Sequence, residues 1–209
     1  MTEQVLLQGE CAPAESVISA TNAAPEAALP NGFVELGLAP ELVQAVADLG
    51  YTQPTAVQDK AIPLAMGAGA EDGRFIDLMV SSQTGSGKTA AFLLPVLHTL
   101  LRQQAEAEAA QRAEYERAAL EAAARGEAAP KRPKRKNPMQ ARNFKAAVPG
   151  ALVLCPTREL AQQVAHDAID LVKHCKGLRI ANVVGGMPYQ MQIAKLQNAN
   201  LVVATPGRL

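Results

Sequence analysis

Eight consecutive residues, Ser82-Gln83-Thr84-Gly85-Ser86-Gly87-Lys88-Thr89, bring together the groups that hold a polyphosphate. Gly85 and Gly87 let the backbone come close, so that successive N–H groups can turn inward onto phosphate oxygens. The apolar run Phe75–Val80 precedes the loop and apolar residues follow it. The loop is therefore expected to join a buried strand to a helix whose positive N-terminus faces the anion. In that setting Lys88 reaches the β- and γ-phosphates, and the Thr89 hydroxyl is a ligand for Mg²⁺. The strict pattern for such a loop opens on Gly, and Ser82 stands there instead. The competing reading is a Gly-rich turn with a chance Lys-Thr; the strand before and the helix after weigh against it.

A second segment is Gly50-Tyr51-Thr52-Gln53-Pro54-Thr55-Ala56-Val57-Gln58. Alone it reads as a helix stop followed by a Pro turn. Beside a phosphate loop it acquires a chemistry. The Gln58 amide offers one donor face and one acceptor face, the pair that adenine N7 and N6 require, and Tyr51 can stack on a purine. Three further segments sit at expected strand ends: Pro156-Thr157-Arg158-Glu159-Leu160, Gly185-Gly186 and Thr205-Pro206-Gly207-Arg208. Thr157 reads as a helix N-cap with Arg158 in the first turn. Each segment is equally compatible with plain turn chemistry. Crevices at the carboxyl ends of parallel strands are nevertheless where α/β sheets bind ligands. Backbone amides, Thr and Arg there suit a phosphodiester backbone held without sequence readout.

The elements that must position these groups follow from periodicity. Leu42, Val43, Val46 and Leu49 have helical spacing from Pro40 to a stop at Gly50. Ala61–Met66 suggests a second, short helix. After Pro149 the chain alternates: strand 151–154, helix 159–174, strand 178–184, helix 189–196, strand 201–204. Such alternation predicts an α/β fold with a parallel sheet flanked by helices. Between the halves lies a stretch of another character. Residues 103–129 are Ala-rich with Glu, Gln and Arg, including the i,i+4 pairs Glu108–Arg112 and Glu121–Arg125. They predict a helix without a strong packing face. Residues 131–145 then hold seven basic residues and no acidic one, either a solvated charge cluster or an auxiliary RNA-binding arm. The whole of 103–148 reads as an insertion. Residues 1–30, with four Glu, no basic residue and many Ala, Ser and Pro, read as a disordered tail.

Composition narrows the function classes. Twenty basic and twenty acidic residues cancel, which excludes a generally basic nucleic-acid binder but not local patches. Aromatics are 3% of the 209 residues and Trp is absent, so an aromatic base-stacking platform is not expected. Cys11, Cys155 and Cys175 lack disulfide or metal spacing, which suits a reducing, cytoplasmic setting. No apolar run approaches the ~20 residues of a membrane helix, so no membrane partner is expected. His98, His166 and His174 form no ligand set. The first two are expected on helix faces and the third near a helix C-terminus, while Cys155 is expected in the core.

Taken together, the five segments resemble the DEAD-box family of ATP-dependent RNA helicases. Gly50–Gln58 is similar to its Q motif, with Phe33 as the isolated aromatic seventeen residues upstream. Ser82–Thr89 is similar to motif I, Pro156–Leu160 to motif Ia, Gly185-Gly186 to the GG motif and Thr205–Arg208 to motif Ib. The likeness covers about residues 33–102 and 149–209, in the family's order. It implies an incomplete RecA-like P-loop domain, with 31–59 as the Q-motif region and 60–209 as the N-terminal part of the ATP-binding domain. It implies ATP, with Mg²⁺ at Thr89, bound by Phe33, Tyr51, Gln53, Gln58 and all eight residues from Ser82 to Thr89. It also implies single-stranded RNA held through its backbone by Pro156, Thr157, Arg158, Gly185, Gly186, Thr205, Pro206, Gly207 and Arg208. No Asp-Glu-Ala-Asp sequence occurs in these 209 residues, so a cut within the domain is expected, and this piece alone should bind better than it catalyses. The whole protein is then expected to unwind short RNA duplexes. A nucleotide-dependent RNA-binding module without catalysis, or another P-loop ATPase such as a DNA helicase, are the alternatives; the Q-motif likeness argues against the last.

Overall fold

The computed structural model describes residues 31–67, 77–125 and 148–209. The elements run α1 (Pro40–Asp48), α2 (Ala56–Ala65), α3 (Lys88–Ala124), β1 (Ala151–Leu154), α4 (Arg158–Leu171), β2 (Ile180–Val183), α5 (Tyr189–Leu196) and β3 (Leu201–Ala204), then a 3₁₀ turn over Pro206–Arg208. The strands form a parallel sheet in the order β1-β3-β2. The central strand β3 is buried along its whole length. Its side chains alternate between two cores, as a pleated strand requires. Leu201 and Val203 enter the larger core, with Leu42, Val46, Ile62, Leu93, Leu97, Val164 and Ala168 of the helices α1 to α4. Val202 and Ala204 enter a smaller one with Ala181, Val183 and Ala199, against which Leu196 of α5 packs. Helices thus cover both faces at β3, the α/β arrangement that the alternation predicts.

Among the described residues the cover stops at β1. Ala151 and Val153 pack on the larger core, whereas Leu152 and Leu154, on the other face, are exposed. The expected strand leading into the Ser82–Thr89 loop is a correction. Phe75 and Ile76 lie outside the described residues, and Asp77–Val80 are irregular chain. Leu78 and Val80 are exposed and Met79 is 99% exposed. The physical reason is that a buried strand needs neighbours, and none of the three strands takes this segment as a partner.

Two helices differ from their expected bounds. α2 begins at Ala56, five residues earlier than Ala61, because Thr55 and Gln58 close a capping box on its first turn. α3 is one continuous helix of 37 residues, so residues 103–124 extend it and do not form a separate unit. Its first half is buried through Ala91, Leu93, Leu94, Leu97 and Leu100. Farther on, the Gln104 amide donates to the Lys176 carbonyl at 3.1 Å, and Ala122 near the helix end is buried. Glu108 accepts from that same amide at 3.0 Å, and Glu121–Arg125 forms its expected pair at 3.9 Å. The tail at 1–30 and the basic stretch of the insertion (131–145) lie outside the described residues. Among the described residues no helix is long and apolar enough to cross a membrane.

Long-range polar contacts lock the helices. His98 on α3 accepts the Ala39 N–H at 3.1 Å through Nδ1. Asp48 ends α1, where a carboxylate opposes the helix dipole. Lys173 at 2.8 Å and His174 at 2.7 Å offset that and tie α1 to the end of α4. His174 thus lies just beyond the C-terminus of α4, as expected, and there meets a carboxylate 126 residues away at the end of α1. Cys155 is buried, as its strand-end position predicts, and burial raises its thiol pKa.

Candidate functional site

The Ser82–Thr89 loop and the Gly50–Gln58 segment meet. Gly87 is the N-cap of α3 and adopts φ 83°, which favours glycine. A Cβ there would also come within 2.5 Å of Gln58 Nε2 and 3.2 Å of Thr55 Oγ1. Glycine at 87 is therefore required twice over, by its dihedral and by the segment packed on it. Thr55 Oγ1 donates to the Ser86 carbonyl at 2.9 Å, and Gln58 Nε2 donates to the Gly87 carbonyl at 3.1 Å. Gln58 Oε1 accepts the Thr55 N–H at 2.9 Å. Both ends of the Gln58 amide are thus occupied by backbone, and the residue is buried.

The loop is closed upon itself by two devices. Lys88 Nζ donates to the Ser82 carbonyl at 2.6 Å and to the Gln83 carbonyl at 2.5 Å. The hydroxyls of Ser82 and Ser86 meet at 2.5 Å. The carbonyls that hold the ammonium form a weaker anion substitute; phosphate oxygens would displace them with a full charge.

A cleft of about 810 Å³ opens where the two segments meet, lined by Tyr51, Gln53, Thr55, Gln58, Thr84, Gly85, Gly87, Lys88 and Thr89. Most of the residues expected around a nucleotide are therefore brought together, with the N-terminus of α3 pointing at them. Ser82, Gln83 and Ser86 belong to the loop but do not line the cleft. Phe33 does not line it either: the ring is 1% exposed and lies in the larger core. The opposite wall brings residues that the sequence reading missed, Gln163, Asp167 and Asp170 of α4. Their spacing of four and three residues is the signal that places them on one helix face. Burial raises the Asp167 pKa, with the neighbouring Asp170 adding to the rise.

The second group of expected residues converges at the carboxyl ends of the strands. Thr157 Oγ1 caps α4 by accepting the Leu160 N–H at 3.2 Å. The Arg158 guanidinium lies over Gly186, where a Cβ would meet Nη2 at 3.1 Å and where φ is 89°. Thr205 is buried, and its N–H donates to the Val183 carbonyl at 3.2 Å. Pro206 and Gly207 are exposed on the turn beyond it, as Pro156 is at the end of β1. Arg208 folds inward: its guanidinium lies 3.6 Å from the centre of the Tyr189 ring and Nη2 donates to the Met187 carbonyl at 2.6 Å.

A parallel sheet with a helix-capping glycine loop beside it and small residues at its strand ends is the architecture of an α/β domain that binds ligands at the carboxyl ends of its strands. The chain belongs to the DEAD/DEAH box helicase family, whose profile matches residues 55–209. It is 39% identical over 178 residues to the ATP-dependent RNA helicase SrmB of Haemophilus influenzae, covering 85% of this chain and 30% of that one. Among solved structures it is similar to the RNA helicase Prp28 of Chaetomium thermophilum bound to ADP, with a TM-score of 0.55 and 32% identity over 83% of this chain and 32% of that chain. It is also similar to Dbp5 of S. cerevisiae bound to RNA and ADP BeF3, with a TM-score of 0.54 and 27% identity over 85% of this chain and 32% of that one. The chain spans less than a third of the length of the curated relatives it matches. The RecA-like, mixed helix and strand fold expected from the sequence is shared with these neighbours.

Proposed function

We propose that this chain is the nucleotide-binding and RNA-gripping part of an ATP-dependent RNA helicase of the DEAD-box type. The observation that carries the reading is the convergence of Lys88, Thr89, Gly87 and Gln58 on one cleft at the N-terminus of α3. ATP enters with its phosphates on the Ser82–Thr89 loop, acting as a P-loop. Lys88 exchanges two carbonyls for phosphate oxygens. The purine lies beside Tyr51, and Gln58, acting within a Q motif, reads the adenine edge once its amide leaves Gly87.

The residues present fit Mg²⁺ only through the nucleotide. Among the described residues no group of three or more His, Cys, Asp or Glu side chains could hold a metal ion, while Thr89 presents a hydroxyl oxygen in the cleft. A hard cation sharing that oxygen with phosphates would neutralise charge there. The single-stranded RNA backbone is gripped by Pro156, Thr157 and Arg158, by Gly185 and Gly186, and by Thr205, Pro206 and Gly207, groups that contact phosphate and sugar rather than base edges. The relatives' names support ATP and RNA as the two ligands.

The test is phosphate release and strand displacement by the full-length protein on a short RNA duplex. ATP turnover stimulated by RNA, with unwinding, is expected. RNA binding that responds to ATP without turnover would make it a non-catalytic module, and stimulation by DNA alone would make it a different motor.

A further inference from the structure

Gln192 is a polar side chain that nothing in the nucleotide site uses, yet it is 3% exposed. Its amide bridges two strand ends. Nε2 donates to the Val184 carbonyl at 2.6 Å, beside Gly185, and Oε1 accepts from Arg208 Nε at 3.1 Å. Arg208 is engaged on three sides, by Gln192, by the Met187 carbonyl and by the Tyr189 ring. The turn after β3 is thereby strapped to the loop after β2, and Arg158 closes over Gly186 from the third strand end. Two of the five guanidinium N–H donors are thus directed to acceptors within the protein, and the Tyr189 ring lies against its face.

The geometry points to Gln192 as a positioning residue for RNA binding, with Arg208 acting through it as a strut and not as a phosphate ligand. This rests on reading the strand ends as the RNA-binding face. Gln192 holds the backbone amides of Gly185 and Gly186 and the Thr205–Gly207 turn at one fixed spacing. Successive phosphates of a single strand also have a limited spacing, so a loose platform loses contacts it still possesses chemically.

The charge and the strut can be separated. A phosphate ligand contributes to the salt dependence of affinity, about 0.7 in the logarithmic slope per contact on a single strand. A strut does not. The measurement is binding of a labelled oligouridylate across a salt series by the full-length protein and its variants Q192M, R208K, R208M and the double variant Q192M/R208K. Q192M and R208K are each expected to weaken binding about tenfold, with ATP affinity and melting temperature close to wild type. R208M should leave the salt slope unchanged. The double variant should bind no worse than the weaker single variant, because both break one strut. Wild-type affinity in Q192M, or a slope lower by about 0.7 in R208M together with full rescue by R208K, overturns the inference. If Q192M does not fold, Q192E serves: it keeps the acceptor toward Arg208 and loses the donor to Val184, so weakened binding is expected and wild-type binding overturns the inference. Failure of the wild type itself to bind the oligouridylate would instead remove the RNA reading beneath it.

Discussion

Gln58 has one amide and two sets of partners. In this structure it completes the capping box of α2 and holds the Gly87 carbonyl, and in the proposed complex it reads adenine. Gln58→Ala should therefore cost about 1 kcal/mol of folding stability through the lost cap, measurable by denaturant unfolding. The same substitution should weaken ATP binding and bring GTP closer to ATP, because guanine presents an acceptor where adenine presents a donor. Lys88 differs in kind, since its two carbonyl partners yield to phosphates. Lys88→Ala should cost on the order of a few kcal/mol in nucleotide affinity or turnover, with little change in melting temperature. Across the cleft, Asp167 faces a site proposed for a polyanion. Asp167→Asn should tighten ATP binding at neutral pH, and a weakening would show that the carboxylate holds the nucleotide or its cation.

At the scale of elements, α1 is bolted to the body by groups that titrate. His98 accepts the Ala39 N–H, which requires the neutral ring, and burial lowers its pKa from the usual 6.5. The unfolded chain therefore takes up a proton near that pH while the folded one does not. Stability should fall as pH drops below about 6.5, and His98→Asn, which offers an acceptor that does not titrate, should flatten that limb of a pH–stability profile. The Asp48 pKa is lowered from 3.8 by its hydrogen bonds to Lys173 and His174. Its contribution is present above that value and is lost as pH falls through the lower folded value, which places a second acid limb beneath the first. The long helix α3 sets a different boundary. Deleting 109–147 spares Gln104 and its bond to Lys176 and should leave the melting temperature nearly unchanged. If the seven basic residues of 131–145 touch RNA, the deletion should also flatten the salt dependence of RNA binding.

These elements also show what the sequence could tell. The strands and helices from Ala151 onward were legible because turn residues punctuate short apolar runs. Phe75–Val80 has the same apolar signature, but pairing depends on neighbours that periodicity does not reveal. The capping box has its own sequence signature, Thr55-x-x-Gln58 ahead of an apolar run. The Arg208–Tyr189–Gln192 strut and the His174–Asp48 pair bring together residues whose types look like ordinary surface and whose meeting only the tertiary fold creates.

At the scale of the whole molecule, the described residues cover the sheet on one face along β1, β3 and β2, and on the other around β2 and β3. Leu152 and Leu154 on β1, with Leu78, Met79 and Val80, are exposed apolar side chains in a chain otherwise balanced in charge. The 209-residue protein should accordingly bind an apolar fluorescent dye and self-associate, and polar replacements at Leu152 and Leu154 should reduce both. It should also show no RNA-stimulated ATP hydrolysis, because it holds no Asp-Glu-Ala-Asp sequence to supply the family's acidic groups. A phosphate-release assay on the 209-residue chain, with and without RNA, checks that expectation.

The central claim is that the Ser82–Thr89 loop and Gln58 form one adenine-nucleotide site. Equilibrium titration of the full-length protein with ATP and with GTP, repeated on Lys88→Ala and Gln58→Ala, tests it most directly. The account predicts that ATP binds more tightly than GTP, that Lys88→Ala weakens both, and that Gln58→Ala removes most of the preference. Equal affinity of the wild type for the two nucleotides, or unimpaired ATP binding by Lys88→Ala, would contradict it.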